Sequence, residues 1–445
     1  MAERRLHRWM VLGLGRTGQS VVRWLAARGE SAVLVDERTS LDTAALEHMM
    51  PAADIVLGST DAVSLEGVQT IVTSPGFAPS HDLLQRAASV AIPIISDIEL
   101  FCQSVTDPIV AVTGSNGKST VVSLLKQMCD DAGIASRAGA NLGEPALDLI
   151  SDDIAVTYLL ELSSFQLDRT GSLTSLAACV LNLSEDHLDW HGTLDDYRAA
   201  KMRIYEDCEF AIINGNAPEL SPADDNRAIR IEFVNDMPGQ RQFGVGTIDG
   251  ERCLMFGDKA LIAVNECALT GEHNIANMLA ALAIGSAIDL PLSAMRRALQ
   301  RFRGLEHRHQ AVGEYSGVRW INDSKATNIG ASLASVAAVS GPVVLLLGGR
   351  AKGETFETLA QQLPPHVRVC VVYGENRQQL ANVLTAADRP FQIVPTLDDA
   401  VEAAASIAQT GDTVLLAPAA ASQDAFRDYR ARGEHFVDLV RERCA

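Results

Sequence analysis

A chain of 445 residues is longer than one ordinary hydrophobic core organises, so roughly two to four domains are expected, and three fit best. With 47% apolar and 21% charged residues it reads as a soluble globular protein and not as a disordered or fibrous one. The net charge of −19 excludes a general binder of nucleic acid or anionic membrane, because phosphate surfaces demand a basic footprint; anionic ligands must meet locally gathered cations.

The opening "MAERRLHRWMVLGLG" has a basic start before an apolar run, but glycines and Arg16 interrupt it at once, so it reads as a first β-strand and not as a signal peptide. No stretch approaches the roughly 18 uninterrupted apolar residues of a membrane span, and the expected location is the cytoplasm. Short apolar runs ("WMVLGLG", "SAVLVDE", "TIVTSPG", "AIPIIS") alternate with helical periods such as "GQSVVRWLAARG", the βαβ rhythm of a parallel sheet. This predicts a Rossmann-like first domain over 1–97. Its loop "GLGRTG", with Gly15, Arg16 and Thr17, follows a strand and opens a helix, and Asp36 ends the next strand. That is a dinucleotide fingerprint, in which glycines allow close backbone approach and the acid accepts from a ribose. The nearby Arg38 weakens a plain NAD reading, and a tight strand-to-helix turn without ligand remains an alternative.

A new strand, "IVAVTG", leads into "SNGKST" and a helix ending at Gly133, which opens a P-loop-type central domain over 98–304. Gly114, Ser115, Asn116, Gly117, Lys118, Ser119 and Thr120 form a loop whose N–H groups and helix N-terminus suit phosphates; Lys118 suits the terminal phosphates, and a hydroxyl suits Mg²⁺. Val112 stands where the full phosphate-loop pattern has its first glycine. Glu161 ends the strand "VTYLLEL", placed to take Mg²⁺ or to be an ordinary strand-end carboxylate. "NLSEDHLDWH" offers oxygen and imidazole ligands, although His187 alone more often is a hydrogen-bonded structural histidine. Lys201, about one turn past Tyr197, reads as a solvated cation; a neutral amine there would be able to capture CO₂ as a carbamate, which acts as a carboxylate. In "GEHNIANMLAA", Asn274 and Asn277 lie one turn apart at a helix start, where capping competes with binding.

From "FRGLEHRHQ" onward, over 305–445, strands again end in polar loops, which predicts a Rossmann-like third domain. "EHRHQ" carries Arg308, "NDSKATN" carries Asp323, Lys325 and Thr327, "GGRAKG" carries Lys352, and "PAAASQDAFRDY" carries Ser422 and Tyr429. Ligands collect at the carboxyl ends of strands in open α/β sheets, and cations concentrated there in an acidic chain fit an anionic substrate. The eight scattered cysteines include no CxxC pair, which fits buried thiols in a reducing compartment and neither a disulfide framework nor a zinc site.

Through "GLGRTG", "TSPG", "TGSNGKST", "NLGEPAL", "ELSSFQL", "EDHLDWH", "YRAAKMRIY", "GEHNIANMLAA", "GLEHRH", "WINDSKATN", "LLLGGRAKG" and "APAAASQDAF", the chain resembles the Mur ligases over nearly its whole length. The phosphate loop and the "HN" segment are shared with folylpolyglutamate synthases, while "NDSKATN" and the first domain point to the D-glutamate-adding member. The resemblance implies that ATP drives addition of D-glutamate to UDP-N-acetylmuramoyl-L-alanine, in peptidoglycan precursor synthesis, by a monomer without nicotinamide or flavin. It implies a UDP site at Gly15, Arg16, Thr17, Asp36, Arg38, Ser74 and Gly76, with Asn141 on the substrate beside the phosphate loop. Lys118, Ser119, Glu161 and His187 would organise ATP and two Mg²⁺ ions, Lys201 being carbamylated, and Asn274, Arg308 and Asp323 would contact the nucleotide. Lys325, Thr327, Lys352, Ser422 and Tyr429 would gather D-glutamate. A sister ligase for another amino acid, an NAD-dependent dehydrogenase and a non-catalytic nucleotide sensor are the alternatives.

Overall fold

The computed structural model describes residues 7–151, 154–351 and 355–444, and its strands form three separate sheets. The first contains β1 (Trp9–Leu12), β2 (Ala32–Asp36), β3 (Asp54–Leu57), β4 (Thr70–Thr73) and β5 (Ile94–Ile95), all parallel in the order 3-2-1-4-5. The chain leaves β1 toward β2 on one side and returns to β4 on the other, which opens a crevice at the carboxyl ends of β1 and β4. Into it project the glycine loop after β1 and the "SPG" loop after β4, joined where the Ser74 hydroxyl donates to Gly13 O (2.9 Å). Gly18 lies so close to the backbone of Gly13 that any side chain there would collide with its carbonyl.

The second sheet has nine strands: β6 (Ile109–Thr113), β7 (Ser136–Ala140), β8 (Thr157–Glu161), β9 (Thr174–Val180), β10 (Asp207–Asn214), β11 (Ile229–Phe233), β12 (Gln242–Ile248), β13 (Glu251–Phe256) and β14 (Lys259–Ala263). Its order is 14-13-12-11-10-9-6-8-7, parallel except for the antiparallel meander β12-β13-β14. β6 lies between β8 and β9, so Glu161 and the residues after Val180 flank the phosphate loop. Val112 is buried within β6 and paired to both neighbours, so the strand continues where the usual motif already turns. Helix Glu272–Ala287 is buried nearly all round, as its run of Ala, Leu and Ile requires of a core helix.

The third sheet contains β15 (Gln310–Tyr315), β16 (Val318–Asn322), β17 (Val343–Gly348), β18 (Val367–Tyr373), β19 (Phe391–Ile393) and β20 (Thr413–Leu416), in the order 15-16-20-17-18-19 with only β15-β16 antiparallel. The expected α/β class with two Rossmann-like ends and a phosphate-loop centre is the architecture observed. No helix among the described residues is long and apolar enough to cross a membrane.

Candidate active site

The phosphate loop is locked from below by the loop after β9. Asn182 accepts from Asn116 N–H through Oδ1 (2.9 Å) and donates to Asn116 O through Nδ2 (3.1 Å), while the Ser115 hydroxyl reaches Ser184 O (3.1 Å) and Tyr197 OH (3.2 Å). Gly117 sits at φ +84° against Asn277, whose side-chain oxygen any Cβ at 117 would strike. Helix Lys118–Ala132 starts at the loop's end, so its unpaired N–H groups and dipole face the cavity.

Three charged groups meet above this loop. The Ser119 hydroxyl donates to Glu161 Oε2, Asn141 Nδ2 donates to Glu161 Oε1 (2.5 Å), and Arg308 Nη2 donates to the Ser119 oxygen (2.6 Å). Burial works against the Glu161 charge, but Lys118, Arg308 and the two hydrogen bonds outweigh it and hold the carboxyl below the usual range. Lys118 Nζ folds back onto Gly114 O (2.6 Å) and Ser115 O (2.9 Å). Its burial lowers the ammonium below its ordinary value, with Glu161 opposing.

Lys201 is only 1% exposed, which corrects the solvated-cation reading: packing turns this face of helix Leu194–Met202 inward. Its Nζ donates to Gly114 O (3.0 Å), the same oxygen that Lys118 uses, and lies 4.4 Å from the Tyr197 ring centroid. Burial first and Lys118 second push the Lys201 amine well below its ordinary value, against the pull of Asp186 and Glu161. His187, at φ +55°, sets its ring on Phe165 (4.8 Å) with Nε2 3.7 Å from Asp186 Oδ2. Asn274 and Asn277 do not cap their helix. Asn277 Nδ2 donates to Asn274 Oδ1 (3.1 Å), and both are buried on the cavity wall.

These groups line one cavity of about 450 Å³ reached by all three sheets. Gly76 comes from the first; Ser115 to Thr120, Asn141, Glu161, His187, Lys201 and Asn274 from the second; Arg308, Asp323, Lys325 and Thr327 from the third. Asp323 is half-buried, and loss of solvent pushes its carboxyl up to about 6, with Ser335 and Arg308 opposing. Asn328 Nδ2 donates to Asp186 Oδ2 (3.0 Å), a second link between the second and third sheets. Tyr429 stands behind this wall, its ring 4.3 Å from Lys325 Nζ, and Ser422 is buried nearby without lining the cavity. Lys352 lies outside the described residues. Cavity-lining residues that the sequence did not single out include Asn182, Tyr197 and His309. His309 Nδ1 lies 3.1 Å from Ser335 Oγ, and burial with His273 beside it lowers its imidazole to about 4.

The first glycine loop lies apart from this cavity. Gly15, Arg16, Thr17, Asp36, Arg38 and Ser74 do not line it, and Arg16 borders a separate space of about 240 Å³. Asp36 receives four donors: Leu14 N–H (2.7 Å), Arg38 N–H (3.0 Å), and Arg38 Nε and Nη2 (2.7 Å each). A carboxylate accepts about four hydrogen bonds, so Asp36 meets a ribose only if Arg38 swings away. The Arg38 hydrogen bond, partly opposed by burial and helped by Leu14, holds the carboxyl at about 2 against an ordinary 3.8. Because its folded value is depressed, its stabilisation is present above pH ~4 and is lost as pH falls toward 2. The Arg38 side chain is 55% exposed and therefore screened, so Asp36→Asn is expected to cost about 1–2 kcal/mol at pH 7 and less at pH 3. Urea unfolding of both proteins at the two pH values checks this; a cost that grows on acidification contradicts it.

Comparison with known proteins agrees with this architecture. Residues 7–96 match the Mur ligase MurD-like N-terminal domain, 112–285 the Mur ligase middle domain, and 307–420 the Mur ligase glutamate ligase domain. The chain is similar to proteins named UDP-N-acetylmuramoylalanine--D-glutamate ligase. It is 43% identical over 436 residues to that of Nitrosococcus oceani (97% of this chain, 96% of the relative). It is 42% identical over 437 residues to that of Chromohalobacter salexigens (96% and 95%). The crystal structure of UDP-N-acetylmuramate-alanine ligase from Thermotoga maritima superposes with a TM-score of 0.62 at 16% identity, covering 98% of this chain and 99% of that one, and so shares the fold. With three domain matches in order and relatives aligned over nearly its full length, the chain belongs to the Mur ligase family.

Proposed function

We propose that the chain joins D-glutamate to the alanyl carboxylate of UDP-N-acetylmuramoyl-L-alanine at the expense of ATP, in peptidoglycan precursor synthesis. The observation that carries this is the single cavity in which a phosphate loop, a buried carboxylate and the cations Arg308 and Lys325 converge from different sheets. The full-length relatives bear a name that states this amino acid and this acceptor.

A carboxylate is a poor electrophile, so its oxygen first takes the terminal phosphoryl group of ATP, releasing ADP and leaving an acyl phosphate. Lys118 and the amides of the loop neutralise the transferring charge. The D-glutamate amine then attacks the acyl carbon, loses a proton, and phosphate leaves as the amide forms. Lys325 and Thr327, with Ser422 and Tyr429 beyond, supply the positive and hydroxyl-bearing wall for a substrate with two carboxylates, and the sequence motif alone assigns Lys352 to the same substrate. The first glycine loop with Ser74, Arg38 and Gly76 takes the UDP end.

Ser119 and Glu161 are hard oxygen donors that fit Mg²⁺ together with ATP phosphates, the way this ion is ordinarily bound. No group of three or more His, Cys, Asp or Glu arranged to hold a metal occurs among the described residues, so ATP phosphates and water would supply much of the shell. Bound there, the ion would act as a Lewis acid on the phosphoryl oxygens. Lys201 as an ammonium is no ligand, whereas its carbamate would offer oxygen donors to a second ion in the cavity that His187 also lines.

Phosphate release from ATP in the presence of the UDP-linked acceptor, with D-glutamate, L-glutamate, L-alanine or meso-diaminopimelate, tests the reading. Release only with D-glutamate is expected. Release with another amino acid would move the chain to a sister activity, and none with any would overturn the ligase.

A further inference from the structure

A cation outside the cavity joins the first sheet's substrate-side loop to the second sheet's histidine loop. Arg169 follows the short helix Ser164–Asp168, and its Nη2 donates to Phe77 O (2.7 Å), the carbonyl one residue past Gly76. The same guanidinium lies 5.3 Å from the Trp190 ring centroid. Trp190 packs on Phe165 (4.6 Å), which also meets the His187 ring (4.8 Å). At the opposite end, the Phe77 ring lies against Gly13, so the carbonyl that Arg169 grips belongs to a residue packed on the first glycine loop. A continuous chain of contacts thus runs from Gly13 through Phe77, Arg169, Trp190 and Phe165 to His187.

Arg169 pays for this position: burial lowers it to about 10, only Asp168 opposing, and its buried Nη1 has no hydrogen-bond partner among the described residues. A long apolar residue would fill the same space without that cost. What the guanidinium adds is a directed bond to one carbonyl and attraction to an indole face, each of which fixes the relative position of two loops.

We propose that Arg169 is a positioning residue that sets the 74–77 loop against the second domain, so that an acceptor crossing from the first glycine loop to the phosphate loop finds both ends of its site in register. The identity of that acceptor rests on the function proposed above; the docking of the loop does not. Two measurements on the full-length protein test it. In Arg169→Met, amide hydrogen exchange at residues 76–78 is expected to accelerate about tenfold, with exchange in helix Lys118–Ala132 unchanged. In steady-state assays the same variant raises KM for the UDP-linked acceptor about tenfold, leaves those for ATP and D-glutamate within about twofold, and Arg169→Lys, which keeps a donor and the charge, recovers part of both effects. Unchanged exchange at 76–78, or an equal rise in all three KM values, overturns the proposal. Faster exchange in a protein whose wild type lacks D-glutamate-dependent turnover would uphold the docking role while refuting the ligase assignment. If Arg169→Met does not fold, Arg169→Lys carries the comparison alone: intermediate exchange and an acceptor-selective KM supports the role, and wild-type values of both refute it.

Discussion

Replacing Lys118 by alanine is expected to lower kcat by about 1,000-fold, the scale on which a charge-stabilising donor acts in an excluded site. The side chain now rests on the carbonyls of Gly114 and Ser115, inside the curve of the loop where the terminal phosphates of a nucleotide would lie. A phosphate oxygen is a far better acceptor for an ammonium than a peptide carbonyl, so a bound nucleotide is expected to draw Lys118 off those carbonyls. Alanine removes the cation but spares the glycine turn, the Asn182 clamp and the helix that follows. Thermal unfolding is therefore expected to shift little, while single-turnover phosphoryl transfer collapses. A variant that keeps more than about a tenth of wild-type kcat would show that this loop does not carry the chemistry.

Lys201→Ala is the second large effect, a loss of about 100-fold or more that short carboxylates such as formate or acetate partly restore. Two lysines sharing the oxygen of Gly114 disfavour a second positive charge, and burial with Lys118 beside it holds the Lys201 amine well below its ordinary value. A neutral amine attacks CO₂ and sheds one proton, giving a carbamate anion where an ammonium stood. Activity of the wild type is accordingly expected to fall when bicarbonate and CO₂ are stripped and to return when they are added, with Lys201→Ala indifferent to both. A fully active alanine variant, or one insensitive to added carboxylates, would leave the buried amine with a packing role only.

Much of this was legible in the sequence because the signals are local. A strand, a glycine loop and a helix occur in succession at 109–132, and the cations Arg308 and Lys325 follow predicted strands or a boundary, so their positions needed no knowledge of the fold. Other features depend on tertiary neighbours. Asn182 clamps the phosphate loop only because β9 is adjacent to β6, and nothing in "NLSED" announces that adjacency. Lys201 reads as surface because its helix is polar, and burial follows from which face packs beneath the loop. Asp36 reads as a ribose acceptor because the spacing fits, whereas Arg38 two residues later occupies its oxygens. Arg169 has no motif at all; its role lies in the distance between two loops that are 92 residues apart in the chain.

The most direct test of the central claim follows an oxygen atom. With ¹⁸O in the alanyl carboxylate of UDP-N-acetylmuramoyl-L-alanine, and with ATP and D-glutamate supplied, the account requires that one labelled oxygen leave on each phosphate released, since the phosphoryl group is transferred to that carboxylate before the amine displaces it. Phosphate that carries no label while the amide product accumulates would contradict the account.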